Sequence, residues 1–131
     1  MIVLDTHTWI WWVHGDSRLP IAMEERIRAT PIQERMVSII SCWEVAKLAE
    51  YGRITLPVEV GSWLEQSTRP TVVQVVPLTL PIILDATSLP GEFHKDPADQ
   101  LIVATARTRN ALLLTIDEKI RKYPHVRCFD S

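Results

Sequence analysis

The chain has 131 residues, of which 47% are hydrophobic and 23% charged, and its formal net charge is −2 at pH 7. This length suits one domain with a core of ordinary size, and the composition excludes a disordered chain. No apolar run approaches the roughly 20 residues that span a bilayer, and the opening residues lack the features of a secretory signal. The sequence therefore predicts a cytoplasmic protein that makes no membrane contact.

Strand-like and helix-like segments alternate along the chain. The predicted strands are 1–4, 36–40, 72–76, 112–115 and 126–129. The predicted helices are 6–13, 20–28, 41–52, 58–66, 80–89, 97–110 and a short one from Asp117. This alternation predicts an α/β fold, in which residues 1–131 form one domain with a mostly parallel sheet of about five strands flanked by helices.

Four acidic residues stand at the front of predicted helices: Asp5, Glu44, Asp99 and Asp117. Asp5 and Asp117 also follow predicted strands, and the carboxyl ends of parallel strands meet at one edge of a sheet. Ionised carboxylates that converge there repel one another unless a cation lies between them. Because hard divalent cations such as Mg²⁺ and Mn²⁺ prefer oxygen ligands and bridge carboxylates to phosphates, the pattern predicts metal-assisted phosphoryl chemistry.

Helix capping is the alternative explanation for each of these acids. Asp5 and Asp117 can cap the helices that follow them, and Asp96 can cap a helix whose first residue is Pro97. Ser41 and Glu44 have the spacing of a capping box. Zinc chemistry is not indicated, because no cysteine or histidine pair has the spacing of zinc ligands. The late basic residues could hold phosphates as a group or complement helix dipoles singly: Arg107, Arg109, Lys119, Arg121 and Lys122.

Four segments, in this order, resemble the PIN-domain ribonucleases, and among them the VapC-type toxins of toxin–antitoxin pairs. The segments are MIVLDTHTWIWW, ISCWEVAKLAEYGRI, LPGEFHKDPADQLIVATA and LLLTIDEKIRKYPHVRCF. The family's four acidic positions correspond to Asp5, Glu44, Asp99 and Asp117. The resemblance implies a PIN-like fold and hydrolysis of RNA phosphodiester bonds. It also implies a homodimer and a cognate VapB-like antitoxin that fills a groove over the active site.

The roles expected from this resemblance differ among the polar residues. Asp5, Asp99 and Asp117 would hold one or two Mg²⁺ ions, for which Mn²⁺ can substitute. Glu44, with an ordinary pKa, would complete the outer coordination or orient the attacking water. Thr6 and Thr115 would hydrogen-bond the ligating carboxylates, and Asp96 would act in the same outer layer or as a cap, since a residue before proline favours an extended conformation.

The opening helix is rich in tryptophan, and three function classes stay open beside the nuclease. Trp9 and Trp12 share one helix face whereas Trp11 points elsewhere, so Trp11 or Trp12 could line a dimer or antitoxin surface. A receiver-like magnesium-binding signalling domain requires an acidic pair where the chain has Asp5 and Thr6. A dehalogenase-like phosphatase requires a second aspartate at His7. A PIN-like module that only binds its partner is the third alternative.

Overall fold

The computed structural model describes residues 1–130, which contain a sheet of four parallel strands. The strands are β1 (Ile2–Leu4), β2 (Arg35–Ser38), β3 (Gln74–Val76) and β4 (Leu112–Leu114). Their order in the sheet is β3-β2-β1-β4, so β1 lies inside the sheet between β2 and β4. The predicted α/β class with a parallel sheet is confirmed, although the fifth predicted strand is reduced to a single parallel bridge between Leu113 and Cys128.

The seven helices of residues 1–130 connect these strands or follow them. They are α1 (Thr6–His14), α2 (Ile21–Ala29), α3 (Ile39–Glu50), α4 (Val60–Ser67), α5 (Leu80–Ala86), α6 (Pro97–Thr108) and α7 (Glu118–Arg121). None of these helices combines the length and the apolarity that crossing a lipid bilayer requires.

Both faces of the sheet are buried under helices. Successive residues of a strand point to opposite faces, so Val3 packs in one apolar cluster while Ile2 and Leu4 pack in another. All three are fully buried. This explains the continuous apolar run at the start of the chain, which is typical of an interior strand in a parallel sheet.

The register of the sheet aligns the ends of its strands. Leu4 is paired with Val37 on one side and with Leu114 on the other. Residues that follow β1 and β4 therefore emerge side by side at the same edge. The chain continues from that edge directly into α1 after β1, and into α7 shortly after β4.

Helix α3 begins earlier than predicted. It starts at Ile39, and the hydroxyl of Ser38 accepts a hydrogen bond from the backbone N–H of Ile40 at 3.2 Å. The predicted start at Ser41 and the capping box with Glu44 are therefore wrong. The β-branched pair at 39–40 favoured a strand, but tertiary packing overrides this weak preference and leaves Ser41 fully buried inside the helix.

Candidate functional site

A pocket of 410 Å³ lies at the carboxyl edge of the sheet. Its lining contains all four acids singled out in the sequence, together with both Thr6 and Asp96. The complete lining is Asp5, Thr6, His7, Trp11, Glu44, Asp96, Asp99, Ile102, Ile116 and Asp117. The fold therefore brings residues from four separate segments of the chain into one site, which we call the acidic pocket.

Asp5, Thr115 and Asp117 form the part of the acidic pocket that rests on the strand ends. Asp5 follows β1 and caps α1, since its Oδ1 accepts the backbone N–H of Thr8 at 2.9 Å. The buried hydroxyl of Thr115 donates to Asp5 Oδ2 and accepts the backbone N–H of Asp117 at 3.0 Å. One threonine thus joins two acids. Asp117 also caps a helix, as Asp5 does, because its Oδ1 accepts the backbone N–H of Lys119 at 2.8 Å.

Glu44 reaches the acidic pocket from the second turn of α3. Thr6, at the start of α1, donates its hydroxyl hydrogen bond to Glu44 Oε1. The hydroxyl of Ser41 lies 2.9 Å from Thr6 Oγ1 and orients it from the other side. Glu44 is therefore held by a side chain of another helix, and this contact replaces the capping contact considered from the sequence.

Asp96 and Asp99 come from the start of α6. Asp96 is the cap of that helix, and its Oδ1 accepts the backbone N–H of Asp99 at 3.0 Å. Pro97 occupies the first helical position, where its missing N–H costs nothing. The cap geometry leaves the Asp99 side chain free to enter the acidic pocket, while Asp96 lies at the rim.

His94 is a member of this site that the sequence did not identify. Its Nε2 lies 2.6 Å from Asp99 Oδ2, and because an ionised carboxylate only accepts, the imidazole nitrogen is the donor. His94 belongs to the irregular segment between α5 and α6. A histidine five residues before a candidate ligand was the available signal, but the path of that segment could not be derived from its residues.

Burial raises the pKa of three of these carboxyl groups. The pKa of Asp5 is raised by burial against the opposing hydrogen bonds from Thr115 and Thr8. Burial also raises the pKa of Glu44 to about 7, with the Thr6 hydrogen bond opposing and the charge of Asp99 adding to the rise. For Asp99 the same cause raises the pKa, and the His94 hydrogen bond opposes it. The expectation that Glu44 has an ordinary pKa is therefore wrong.

The donor set of the acidic pocket fits a hard cation that keeps part of its water shell. Within residues 1–130, no three His, Cys, Asp or Glu side chains are arranged so that they could hold an ion by themselves. Mg²⁺ keeps several waters and is usually bound through one or two carboxylates, so this spacing suits it. Several carboxylates with raised pKa values at one site are groups that a cation would stabilise in the charged form.

The three tryptophans of α1 have different surroundings. Trp9 is fully buried, in agreement with a core position. Trp11 lines the acidic pocket, with the guanidinium carbon of Arg18 5.0 Å from the ring centroid. Trp12 lines a separate apolar cavity of 870 Å³ beside Trp63. Trp11 is therefore placed next to the acids and Trp12 next to the apolar cavity, although both also line a third pocket beside Asp16.

One of the late basic residues is committed to a structural contact. The guanidinium of Arg107 binds Asp85 through Nε at 2.9 Å and also donates to the carbonyl of His125. Arg107 lines a different pocket together with Asp85. It is therefore not part of a phosphate-holding group at the acidic pocket.

Comparisons with known proteins agree with this architecture. The family model described as PIN domain matches residues 2–126. Ribonuclease VapC22 of Mycobacterium tuberculosis is 38% identical to the chain over 126 residues, which make up 96% of this chain and 94% of that protein. The resemblance inferred from the four sequence segments is therefore confirmed.

Solved structures share the fold at low sequence identity. DNA-bound VapBC from Salmonella typhimurium aligns with a TM-score of 0.72 and 19% identity, covering 98% of this chain and 96% of that chain. FitAcB from Neisseria gonorrhoeae aligns with a TM-score of 0.70 and 21% identity, covering 99% and 97%. At such identities, the structural similarity shows the fold alone. The match to the family model and the 38% identical relative show the family: the chain belongs to the PIN domain family.

Proposed function

We propose that this protein is a metal-dependent endoribonuclease that acts as the toxin of a toxin–antitoxin pair. The observation that carries the proposal is the convergence of Asp5, Glu44, Asp99 and Asp117 on one pocket in a chain 38% identical to a named ribonuclease. The cofactor is Mg²⁺, with Mn²⁺ as a substitute, and the substrate is an RNA phosphodiester bond.

The residues of the acidic pocket divide the work of hydrolysis. Asp5, Asp99 and Asp117 would hold the cation partly through its bound waters, and the cation when bound would polarise the scissile phosphate and lower the pKa of a bound water. Thr115 fixes Asp5 relative to Asp117 through its two hydrogen bonds, and Asp96 sets the start of α6. These contacts keep the ligands in place before the substrate arrives, so no reorganisation is required during the reaction.

Glu44 has the environment of a group that transfers protons. In the metal-free protein its pKa is about 7, and a bound cation would favour its charged form, in which the carboxylate can accept a proton from water. The Thr6 hydroxyl fixes one of its oxygens and leaves the other for a water molecule. We assign Glu44 the role of orienting and deprotonating the attacking water.

The test compares RNA cleavage by the purified protein and by Asp5→Asn and Asp99→Asn variants. Each amide replaces one charged oxygen with little change in volume, so folding should survive while cleavage falls by at least about 100-fold. Glu50→Gln is the matched control, because Glu50 is an exposed acid on the same helix as Glu44. Chelation of divalent cations should abolish cleavage, and added Mg²⁺ or Mn²⁺ should restore it.

Two other outcomes would replace the proposal. Undiminished cleavage in the presence of a chelator would indicate a ribonuclease that uses side-chain acid–base catalysis alone. Absence of cleavage by the wild-type protein with either cation, together with tight binding of a protein partner, would indicate a PIN-like module that only binds.

The partner we propose is a small cognate antitoxin of the VapB-like kind. Solved neighbours of similar fold include a toxin–antitoxin complex from Klebsiella pneumoniae, which aligns with a TM-score of 0.67. A guanidinium pairs well with carboxylates, so an arginine of the partner could enter the acidic pocket and exclude the cation. Expression of the chain alone should slow growth, and co-expression of the partner should restore it. Inhibition that persists in the Asp5→Asn variant would contradict a nuclease basis for toxicity.

A homodimer is the second assembly we propose. Large apolar side chains on α3 and α5 are exposed, among them Trp43 at 55%, Leu80 at 67% and Leu84 at 57%. Helices α3 and α5 both pack against α6, and their exposed apolar side chains favour an interface in which a second copy would offer the same surface in a two-fold arrangement. Sedimentation analysis of a Leu84→Lys variant should show a shift from dimer to monomer. A wild-type protein that sediments as a monomer would refute this assignment.

A further inference from the structure

Four aromatic rings form a row that runs from the acidic pocket toward the end of the chain. His94 packs on Phe93 with ring centroids 4.3 Å apart, Phe93 meets Tyr123 at 4.8 Å, and Tyr123 meets His125 at 5.4 Å. Tyr123 is buried, and its hydroxyl donates to the carbonyl of Pro90 at 2.5 Å. The centre of the row is therefore fixed both to the core and to the segment that carries His94.

The backbone of His94 is held as well as its ring. The side-chain amide of Gln100, on α6, donates to the His94 carbonyl at 3.2 Å. The ring then projects so that its Nε2 reaches Asp99 Oδ2 at 2.6 Å. With the ring packed on Phe93 and the carbonyl bound to α6, the imidazole has little freedom to leave Asp99.

The orientation of the Asp99 carboxylate depends on one hydrogen bond, whereas that of the Asp5 carboxylate depends on two. Asp5 is hydrogen-bonded through both oxygens, one to Thr115 and the other to the N–H of Thr8. Within residues 1–130, His94 is the one group that hydrogen-bonds the Asp99 carboxylate. Without it, the side chain at the start of α6 could rotate among its staggered conformers.

We propose that His94 is a positioning residue that holds the Asp99 carboxylate in the orientation needed to bind a divalent cation. The inference rests on the proposed function, since it assumes that Asp99 is a ligand. Donation from Nε2 to Oδ2 leaves Oδ1 without a protein partner and so available to the cation. Hydrogen bonds of this kind to ligating groups commonly change metal affinity by about 10–100-fold.

The experiment measures Mn²⁺ affinity by titration calorimetry on the purified full chain without RNA. His94→Ala should weaken Mn²⁺ binding by about 10–100-fold. His94→Gln, which places an amide donor near the position of Nε2, should recover most of the affinity. His125→Ala is the matched control, because it removes the imidazole at the other end of the same row and leaves the Asp99 contact intact. Saturating Mn²⁺ should bring the kcat of His94→Ala for RNA cleavage back toward the wild-type value.

Mn²⁺ affinity that is unchanged in His94→Ala would overturn the proposal. A rise in affinity would also overturn it, because it would show that the imidazole competes with the cation for Asp99. Equal losses in His94→Ala and His125→Ala would reduce the effect to general packing of the aromatic row. Wild-type protein that binds Mn²⁺ in a manner dependent on His94 but cleaves no RNA would refute the proposed function and leave the positioning role standing.

Discussion

The two halves of the acidic pocket are built by different means. In the strand half, Asp5 and Asp117 follow neighbouring strands and are joined by one buried threonine. In the helix half, Glu44 and Asp99 project from α3 and α6, and each is oriented by a polar side chain from another segment. At the strand ends, the backbone itself positions the carboxylate. On the helices, the backbone only directs the side chain toward the pocket, and a hydrogen bond from a second side chain fixes the carboxylate.

Removing the threonine hydroxyl of the strand half should produce the largest combined loss of stability and of RNA cleavage. Thr115→Val keeps the volume but removes the hydroxyl that donates to Asp5 and accepts from the Asp117 N–H. Because Asp5 loses a buried hydrogen bond and Asp117 a partly buried one, we expect a loss of about 1–3 kcal/mol in the free energy of unfolding. Cleavage should fall by about 10–100-fold. Chemical denaturation and single-turnover kinetics measure the two effects.

Thr6→Val is the control from the helix half. Thr6→Val also removes the contact of the buried Ser41 hydroxyl, so its loss of stability should be similar to that of Thr115→Val. Glu44 is partly exposed and can turn to water, so the loss in cleavage should be smaller. An equal or larger loss in cleavage by Thr6→Val would mean that the two halves position their carboxylates in the same way.

The second largest effect is expected from the protonation of Glu44, which should change the stability of the metal-free protein with pH. Glu44 has a pKa of about 7 in the folded state and an ordinary value of 4.5, so the folded state binds its proton more tightly. The resulting stability is fully present below pH 4.5 and is lost as the pH rises through about 7. Allowing for solvent screening of a partly exposed group, we expect a fall of about 1–2 kcal/mol between pH 5 and pH 8.

The measurement is urea denaturation in the presence of a chelator at both pH values. Glu44→Gln should reduce the pH dependence and leave the part that comes from Asp5 and Asp99, while Glu50→Gln should preserve it in full. Saturating Mg²⁺ should also flatten it, because the cation favours the charged carboxylates. A metal-free protein that gains stability between pH 5 and pH 8 would contradict the raised pKa of Glu44.

The smallest effect is expected at the tryptophans of α1. Trp11→Ala alters the wall of the acidic pocket and should lower antitoxin affinity by about 1 kcal/mol. Trp12→Ala enlarges the apolar cavity shared with Trp63 and should act mainly through stability. Melting temperature and complex affinity are measured on both variants. A Trp11→Ala protein with lower stability but wild-type affinity would remove Trp11 from any partner surface.

Much of this architecture was readable from local patterns in the sequence. The apolar run at residues 2–4 followed by Asp5 predicted both a buried strand and a cap, and the structure shows both. The same pattern placed Asp117 after β4. These predictions succeeded because the interactions involved lie within a few residues in the chain. The assignment of the four acids to catalysis and metal binding stays a prediction.

Features that depend on distant contacts were not readable. The start of α3 is decided by how Ser38 and Ser41 pack, since both residues are plausible caps in isolation. The raised pKa of Glu44 arises from burial by elements far away in sequence. The contact of His94 with Asp99 requires a segment whose path is set by Tyr123 and Gln100. Residue type and spacing do not decide any of these, because each depends on packing against residues far away in the chain.

The hydrogen bond between Asp5 and Thr115 joins residues 110 positions apart in the chain. On a ribosome, Asp5 emerges early with only its local cap contact to Thr8, and it gains the contact with Thr115 only when nearly the whole chain has been synthesised. Strand β1 likewise lacks one neighbour until β4 is available, and such long-range pairing forms late in folding. A nascent or prematurely terminated chain therefore lacks an assembled acidic pocket. Incomplete chains therefore lack the site that nuclease activity requires, and the cell that makes them is exposed to that activity only after synthesis is complete.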